Sequence, residues 1–450
     1  MKSEKKSEKK TETDPDHFRI TQHRGATYVR MPLIAFIGGL LTLIVMIILF
    51  WSVKRDNGTI LRVEQPGELG ALLPSIAGLT HSVLEDGNNV EVLQNGDAFF
   101  PPLLRDIAAA RKSVHVENFI WYDGKLATEL ANLLAKKARE GVQVRLLVDG
   151  SGGRQLDGEE REMLDAAGVK VAHFHPFRLS NLGRLNNRDH RKLMVIDGTI
   201  GYVGGFCIAD EWLGNAQDKK HFRDTGLRVV GPVVNRLQAV FAENWIEETG
   251  EVMAGDDFFP KPQPAGTSTA HVAYTSPDGG VSAVQLLYYM AIKAARKEIL
   301  IQNPYLLPED EAIEALEEAV QRGVDVRIMV PSDDATDSAI VQHASHHHFG
   351  TLLKRGVKIW EYERTLLHQK VIVVDGVWSC VGSTNFDERS FELNDEVSVG
   401  ILDPAIATQL RTAFADDLRH AKKMDFESWK NRSWWHKTVD GVAYLGRSQL

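Results

Sequence analysis

A chain of 450 residues, 43% hydrophobic and 25% charged, is long enough for one large or two medium domains around a substantial core. Its formal charge of −9 argues against a nonspecific nucleic-acid binder, which needs cation-rich surface for the phosphate backbone. Two cysteines, Cys207 and Cys380, exclude a disulfide scaffold; both fall in strand-like apolar runs, where buried thiols are the expectation, although a location outside the cytoplasm would permit a bridge.

Residues 1–16 alternate Lys, Glu, Ser and Thr with almost nothing apolar, the composition of a disordered tail, and residues 1–30 as a whole read as a basic N-terminal tail. Residues 31–53 carry no charge. As a helix rising ~1.5 Å per residue this run would cross a hydrocarbon layer of ~30 Å. It exceeds the ~7 to 15 apolar residues of a cleaved secretory signal, so an uncleaved anchor is expected. Cations crowd the N-terminal flank (Lys2, Lys5, Lys6, Lys9, Lys10, Arg19, Arg24, Arg30), whereas the fifty residues beyond hold Lys54, Arg55 and Arg62. By the positive-inside bias the tail is expected in the cytoplasm and the large domain outside it, at the outer face of the inner membrane in a bacterium.

Residues 54–91, rich in Gly, Pro and Asn, read as a linker with a small strand at 58–63. Beyond it, helical spacing at 98–112 and 126–140 alternates with strand-like runs at 114–121 and 142–148. The order recurs after a Pro/Gly/Ser/Thr-rich connection at 260–269, with helices at 282–297 and 309–322 and strands at 298–305 and 324–330. Arg-Glu-Gly-Val-Gln-Val-Arg-Leu-Leu-Val, ending at Val148, and Gln-Arg-Gly-Val-Asp-Val-Arg-Ile-Met-Val, ending at Val330, mark an internal duplication. The expected organisation is a first half at 92–259, a second at 270–432 and a C-terminal tail at 433–450. Continuous apolar strands between amphipathic helices make the class α/β, with mixed sheets between helices.

Each half carries one His-x-Lys-x4-Asp pattern on the threshold of a strand: His190, Lys192 and Asp197, then His368, Lys370 and Asp375, with the histidines 178 residues apart. Histidine and lysine, two positions apart on a strand, face one side, while Arg191 and Gln369 point away. One copy alone could be a solvated strand end with a hairpin turn at Asp-Gly. Two copies at equivalent positions, each followed by a glycine seven residues after its aspartate, point to one site where two imidazoles and two ammonium groups meet a phosphoryl group. Such a set can meet the charge of a phosphodiester transition state, with one imidazole attacking phosphorus and the other protonating the leaving alkoxide.

The flanking strings are Gly204-Gly205-Phe206-Cys207, Asp210-Glu211-Trp212, Phe222-Arg223-Asp224-Thr225, Asn303-Pro304-Tyr305 with Pro308, and the continuous run from Gly382 to Glu396. On these the chain resembles the phospholipase D superfamily, and its bacterial cardiolipin synthase branch in particular, from about residue 92 to 432. The resemblance implies a duplicated phospholipase D fold, two mixed-sheet α/β/α halves packed around one shared active site and here preceded by a single transmembrane helix. It implies a covalent phosphohistidine on one imidazole with the other as acid and then base, His190 and His368 respectively by analogy, and no metal or other cofactor for that step. It further maps the acids that hold the second ring nitrogens to Asp224 in the first half and Glu396 in the second. Asn385, Lys192 and Lys370 become the phosphate-binding set, with Asp197, Asp375 and Ser383 structural or supporting.

The first half departs from the pattern: Cys207 replaces the phosphate-side asparagine, and Gly226 a histidine common after Asp-Thr. The loop 176–188, with Arg178, Arg184 and Arg188, leads directly to His190 and suits headgroup or interface contact. Trp121, Tyr122 and Trp212 are candidates either for an acyl or glycerol wall or for the core. His343, His346, His347 and His348 fall within an expected helix at 337–353 and read as incidental rather than as a zinc site, which usually takes four well-placed ligands. The expected reaction is phosphatidyl transfer between two phosphatidylglycerol molecules with release of glycerol, another phospholipid remaining open as acceptor. Hydrolysis by a phospholipase D, a membrane-tethered phosphodiesterase or nuclease, and an inactive lipid-binding scaffold are the alternatives.

Overall fold

The computed structural model describes residues 35–44, 46, 69–80, 82–177, 184, 186–277 and 282–447. The N-terminal tail, most of the 31–53 run, the expected strand at 58–63 and Arg178 lie outside the described residues. Residues 35–44 and 46 are helical, and among the described residues no helix is long and apolar enough to cross a membrane. The chain divides into two compact units, residues 1–58 and 59–450, and the second holds both motif segments.

Its strands in chain order are β1 (Glu85–Gln94), β2 (Ser113–Asn118), β3 (Gln143–Asp149), β4 (Lys170–Phe174), β5 (Arg188–Asp189), β6 (Lys192–Ile196), β7 (Ile200–Gly204), β8 (Thr225–Val230) and β9 (Ser268–Thr275). They continue with β10 (Glu298–Gln302), β11 (Leu306–Leu307), β12 (Asp325–Pro331), β13 (Lys358–Tyr362), β14 (Val371–Val374), β15 (Trp378–Gly382), β16 (Phe386–Asp387), β17 (Asn394–Leu402) and β18 (Ala421–Lys423). One mixed sheet runs β4-β3-β2-β6-β7-β8-β1-β9-β17-β15-β14-β10-β12-β13-β18, with β5 paired to β17 off this path.

Outward from the antiparallel β1·β9 seam the two sides repeat. Antiparallel neighbours extend to β6·β2 on one side and to β14·β10 on the other, then two parallel pairs follow on each flank, and β18 adds an antiparallel edge to the second. Strands β6 and β14, which follow the motif histidines, are buried along their whole length, consistent with the apolar runs 193–196 and 371–374. Each returns through an Asp-Gly turn with positive φ at both residues, 52° and 64° at Asp197-Gly198 and 56° and 67° at Asp375-Gly376, the geometry of a two-residue hairpin.

Each half has a core of its own on one face of the sheet. On the other, the helices Val234–Thr249 and Pro404–Asp417 both contribute to a single core that takes strands from both halves. This shared core fixes one motif strand relative to the other.

Two expected boundaries change. The linker read at 54–91 contains the helix Leu69–Leu79 and most of β1; Leu73 and Ile76 are buried against the second half, and that burial outweighs the internal Pro74 and glycines that read as turn signals. The tail read at 433–450 contains the helix Trp434–Tyr444, capped by Ser433, whose hydroxyl accepts the His436 N–H.

Candidate active site

The two motif segments do not stay within their own halves. β5 runs parallel to the start of β17, pairing Arg188 with Asn394 and Asp189 with Asp395, and the His190 N–H donates to the Asp395 carbonyl at 2.9 Å. The mirror contact is a bridge between Arg223 and Leu367, with the His368 N–H donating to the Arg223 carbonyl at 2.8 Å. Each histidine is thereby seated on the acid-bearing segment of the opposite half.

The carboxylate pairing is consequently crossed. His190 Nδ1 lies 2.8 Å from Glu396 Oε1, and His368 Nδ1 lies 2.7 Å from Asp224 Oδ2. Asp224 and Glu396 do hold the second ring nitrogens, but each serves the other half's histidine. A carboxylate on Nδ1 leaves Nε2 of each ring to face a substrate. All six of His190, Lys192, His368, Lys370, Asp224 and Glu396 are buried. Lys192 Nζ donates to the His190 carbonyl at 2.7 Å and lies 5.0 Å from the Phe119 ring centre. Lys370 Nζ donates to the His368 carbonyl at 2.6 Å and lies 3.0 Å from His368 Nε2.

The supports differ. Asp224 Oδ2 accepts the Trp212 indole N–H at 2.9 Å, and its carboxylate fits because residue 205 is glycine: a Cβ there would meet Asp224 Oδ1 at 2.3 Å. Glu396 Oε2 instead accepts the Ser383 hydroxyl at 2.5 Å. Burial presses His190 well below the ordinary imidazole value, reinforced by Lys192, Lys370 and His368. Burial and Lys370 lower His368 too, opposed by Asp224. Burial works to raise Asp224, yet the charge and hydrogen bond of His368, with Lys370 and Trp212, hold it below its usual value. Burial pushes Glu396 up to about 8 in spite of Lys192 and Ser383, and pushes Lys370 down to about 8.

Asn385 is buried, with its side-chain oxygen unpartnered among the described residues. Its first-half counterpart, Cys207, sits where Lys192 and Lys370 act on it, but burial raises its thiol and keeps it protonated. A side chain at Gly226 would run into Phe99 and Phe206, whose stacked rings lie 4.0 Å apart. Aromatic packing therefore occupies the space of the missing histidine. Cys207 and Cys380 are free, each buried in the core of its own half.

The motif aspartates are away from the imidazoles. Asp197 accepts the backbone N–H groups of Arg111, Lys112 and Ser113, and Asp375 those of Arg296, Lys297 and Glu298, so both pin the neighbouring strand to the hairpin turn. Of the aromatic candidates, Trp121 is 0% exposed and donates to Glu160, a core residue that cannot wall a lipid site. Trp212 is buried edge-on to His368 and orients Asp224. Tyr122 is exposed. Arg184 pairs with Glu247 at 2.5 Å, and Arg188 is held at β5 beside the site. His343 and His346 gather at Asp440, which already accepts Arg432 at 2.6 Å, and so tie two helices together. The sequence reading missed the indole clamp on Asp224 and the room made by Gly205; the Gly204-Gly205 and Gly382-Ser383 equivalence was its available signal.

A duplicated frame with crossed imidazole–carboxylate pairs and a lysine beside each ring defines a phospholipase D-like phosphodiester site. The fold is similar to that of phosphatidylserine synthase from Haemophilus influenzae Rd KW20, with a TM-score of 0.66 at 13% identity over 84% of this chain and 100% of that one. A family model described as cardiolipin synthase, PLD-like domain, matches residues 103–245 and 288–418, and the chain belongs to this family. It is 35% identical over 402 residues to a cardiolipin synthase of Halalkalibacterium halodurans, covering 87% of this chain and 79% of that protein. To a cardiolipin synthase of Staphylococcus aureus it is 36% identical over 365 residues, 80% of this chain and 74% of the relative.

Proposed function

We propose that this chain catalyses phosphatidyl transfer between two phosphatidylglycerol molecules, giving cardiolipin and glycerol. The observation that carries the reading is the crossed pair of imidazole–carboxylate contacts in a chain of this family. His190 Nε2 attacks the donor phosphorus; the bond from phosphorus to the glycerol oxygen breaks, and His368 Nε2 gives the departing alkoxide its proton. The terminal hydroxyl of a second phosphatidylglycerol then loses its proton to His368, its oxygen attacks phosphorus, and the P–N bond breaks to free His190. Lys192, Lys370 and Asn385 receive the phosphate oxygens, and Ser383 supports Glu396.

The supports favour this order. With Glu396 pushed towards its neutral form, His190 has no ionised partner to make it a cation and stays a nucleophile. His368 faces an ionised Asp224, so when a bound phosphodiester adds its negative charge His368 is the ring that takes the proton.

The two halves are read as copies of one unit sharing this site, at about 92–259 and 270–432. The uncharged run 31–53 and the cations before it support a single-pass inner-membrane protein with a cytoplasmic N-terminus and the catalytic unit outside. The test is the purified full chain with labelled phosphatidylglycerol, with and without phosphatidylethanolamine, and mass spectrometry of the products. Cardiolipin and glycerol in equal amounts are expected; phosphatidic acid as the main product would replace transfer by hydrolysis.

A further inference from the structure

Ala443 is buried against Leu307, Val341 and Ala344, and Asp440 binds His343 at 2.9 Å and Arg432 at 2.6 Å, so one side of the helix Trp434–Tyr444 is latched to the helix Ala339–Lys354. The opposite side is bare. Trp434 is 73% exposed, Trp435 60%, Val442 64% and Leu445, the residue after the helix, 79%. At ~100° per residue these positions share one stripe roughly 100° wide, about half a turn from Asp440 and Ala443. Two adjacent exposed tryptophans are costly in water and suit a membrane interface, where the ring is apolar and the N–H is wet.

Beside the stripe, a cleft of about 650 Å³ is lined by Lys354, Arg355, Trp429, Lys430, Arg432 and Lys437. Arg355 is neutralised by Glu317 and Arg432 by Asp440, but Lys354, Lys430 and Lys437 have no carboxylate partner among the described residues. In a chain of net charge −9 this concentration of cations is local, and it is complementary to anionic headgroups. Contacts lead from this end of the chain towards the catalytic site. Tyr305 packs beside Ala443 and donates to Asp337 at 2.7 Å, a carboxylate whose charge reaches His368. Arg447 reaches Glu388, three residues beyond Asn385, at 3.7 Å.

We propose that the helix Trp434–Tyr444 is an interfacial docking element: its outer stripe seats at the acyl–headgroup boundary of an anionic bilayer, and the adjacent lysines take lipid phosphates. The inference rests on the reading that the site acts on membrane phospholipid, and it supplies a contact that holds the catalytic mouth at its substrate surface, in addition to any N-terminal anchor.

The test uses the full chain reconstituted in phosphatidylcholine vesicles with and without phosphatidylglycerol, with a polarity-sensitive fluorophore on Val442→Cys. Expected is blue-shifted emission, quenched by brominated acyl chains, in vesicles containing phosphatidylglycerol, and a weaker effect in phosphatidylcholine alone or with Lys430→Glu/Lys437→Glu. A fluorophore that reports water in both compositions, as it would if a protein partner covered the stripe, overturns the proposal. Equal burial in both overturns its anionic-lipid part. Trp434→Ala/Trp435→Ala/Leu445→Ala should lower turnover of bilayer phosphatidylglycerol about tenfold while leaving turnover of a monomerically dispersed short-chain analogue within about twofold. Equal effects on both substrates would speak against docking. Absence of cardiolipin from wild type on either substrate defeats the proposed reaction instead, and the fluorophore still decides the docking.

Discussion

At the His368 corner a short carboxylate, Asp224, lies against a glycine and receives an indole N–H; at the His190 corner a longer one, Glu396, receives a serine hydroxyl. The backbone frame around the two corners is the same, down to the histidine N–H that donates to the residue preceding the opposite acid. Their charge states are not. Asp224 is held ionised while Glu396 is pushed up to about 8, so a symmetric frame supports two different imidazoles, as sequential nucleophilic and acid–base work requires. Duplication supplies the geometry, and a few unlike contacts supply the division of labour.

The hardest test of that division removes each imidazole. His190→Ala and His368→Ala should each lower cardiolipin formation by ~10⁴-fold or more. The two can still be told apart by acid quench with labelled donor and peptide mapping, where the phosphatidyl group is expected on the peptide containing His190. Label on the peptide of His368 would reverse the roles and break the electrostatic argument.

The carboxylates sharpen it. Asp224→Asn removes an ionised partner from the ring that must become a cation, and a loss of ~10³-fold or more in kcat is expected. Glu396→Gln replaces a group already inclined to neutrality and should cost ~10 to 100-fold. Equal losses in steady-state rates would mean that the two corners are electrostatically alike once substrate is bound.

The acids Asp224 and Glu396 were reached only through the family resemblance, whereas the His-Lys pairs and the hairpin turns were legible from strand periodicity and the repeated pattern. The crossing was not, because it depends on β5 leaving its own half to pair with β17, a contact that no periodicity records. The hydrogen bond of Trp212 was not legible for a related reason: a tryptophan twelve residues before Asp224 gives no sign that its N–H reaches that carboxylate. The helices at 69–79 and 434–444 were lost to proline, glycine and tail-like composition, which tertiary burial overrides.

The residues between histidine and lysine carry the same comparison into stability. Arg191 is buried, donates to Glu243 at 2.9 Å and to the Val240 and Thr275 carbonyls, and lies 3.3 Å from Asp395. Gln369 holds the equivalent place with the Thr225 hydroxyl and Asp417. Arg191→Met strands buried carboxylates and should cost about 3 kcal/mol or more. Gln369→Leu should cost ~1 to 2 kcal/mol in the same thermal unfolding measurement on detergent-solubilised chain. The reverse order would mean that the ionic seam of the first half is dispensable.

The pH profile separates lysine from carboxyl. His190 must be neutral to attack, and its lowered value places the acid limb of kcat/KM below the ordinary imidazole range. In kcat, where the bound phosphodiester keeps the proton on His368, Lys370 must also be charged to meet phosphate, so turnover should fall as pH rises through about 8. Glu396 titrates in the same region, so the decisive control is Glu396→Gln. A limb that persists in Glu396→Gln but moves upward in Lys370→Arg, whose guanidinium stays charged, assigns it to Lys370. A limb lost in Glu396→Gln assigns it to the carboxyl.

The smallest expected effect concerns the place where the phosphate side is unequal. Asn385 offers an amide, whereas Cys207 offers a buried, protonated thiol whose sulfur lies 4.0 Å from the Gly205 carbonyl. A thiol donates weakly, and loss of one transition-state donor elsewhere costs ~2.7 to 4 kcal/mol. Some of that cost is already met by Lys192 and Lys370, which both act on the Cys207 position. Cys207→Asn, a change of similar volume, should therefore raise kcat by about tenfold with KM little changed, because the new donor engages charge that develops only in the transition state. Cys207→Ser should gain less, since its hydroxyl is shorter. If neither gains, the lysines and Asn385 already complete the pocket, and the asymmetry of the enzyme is confined to its carboxylates.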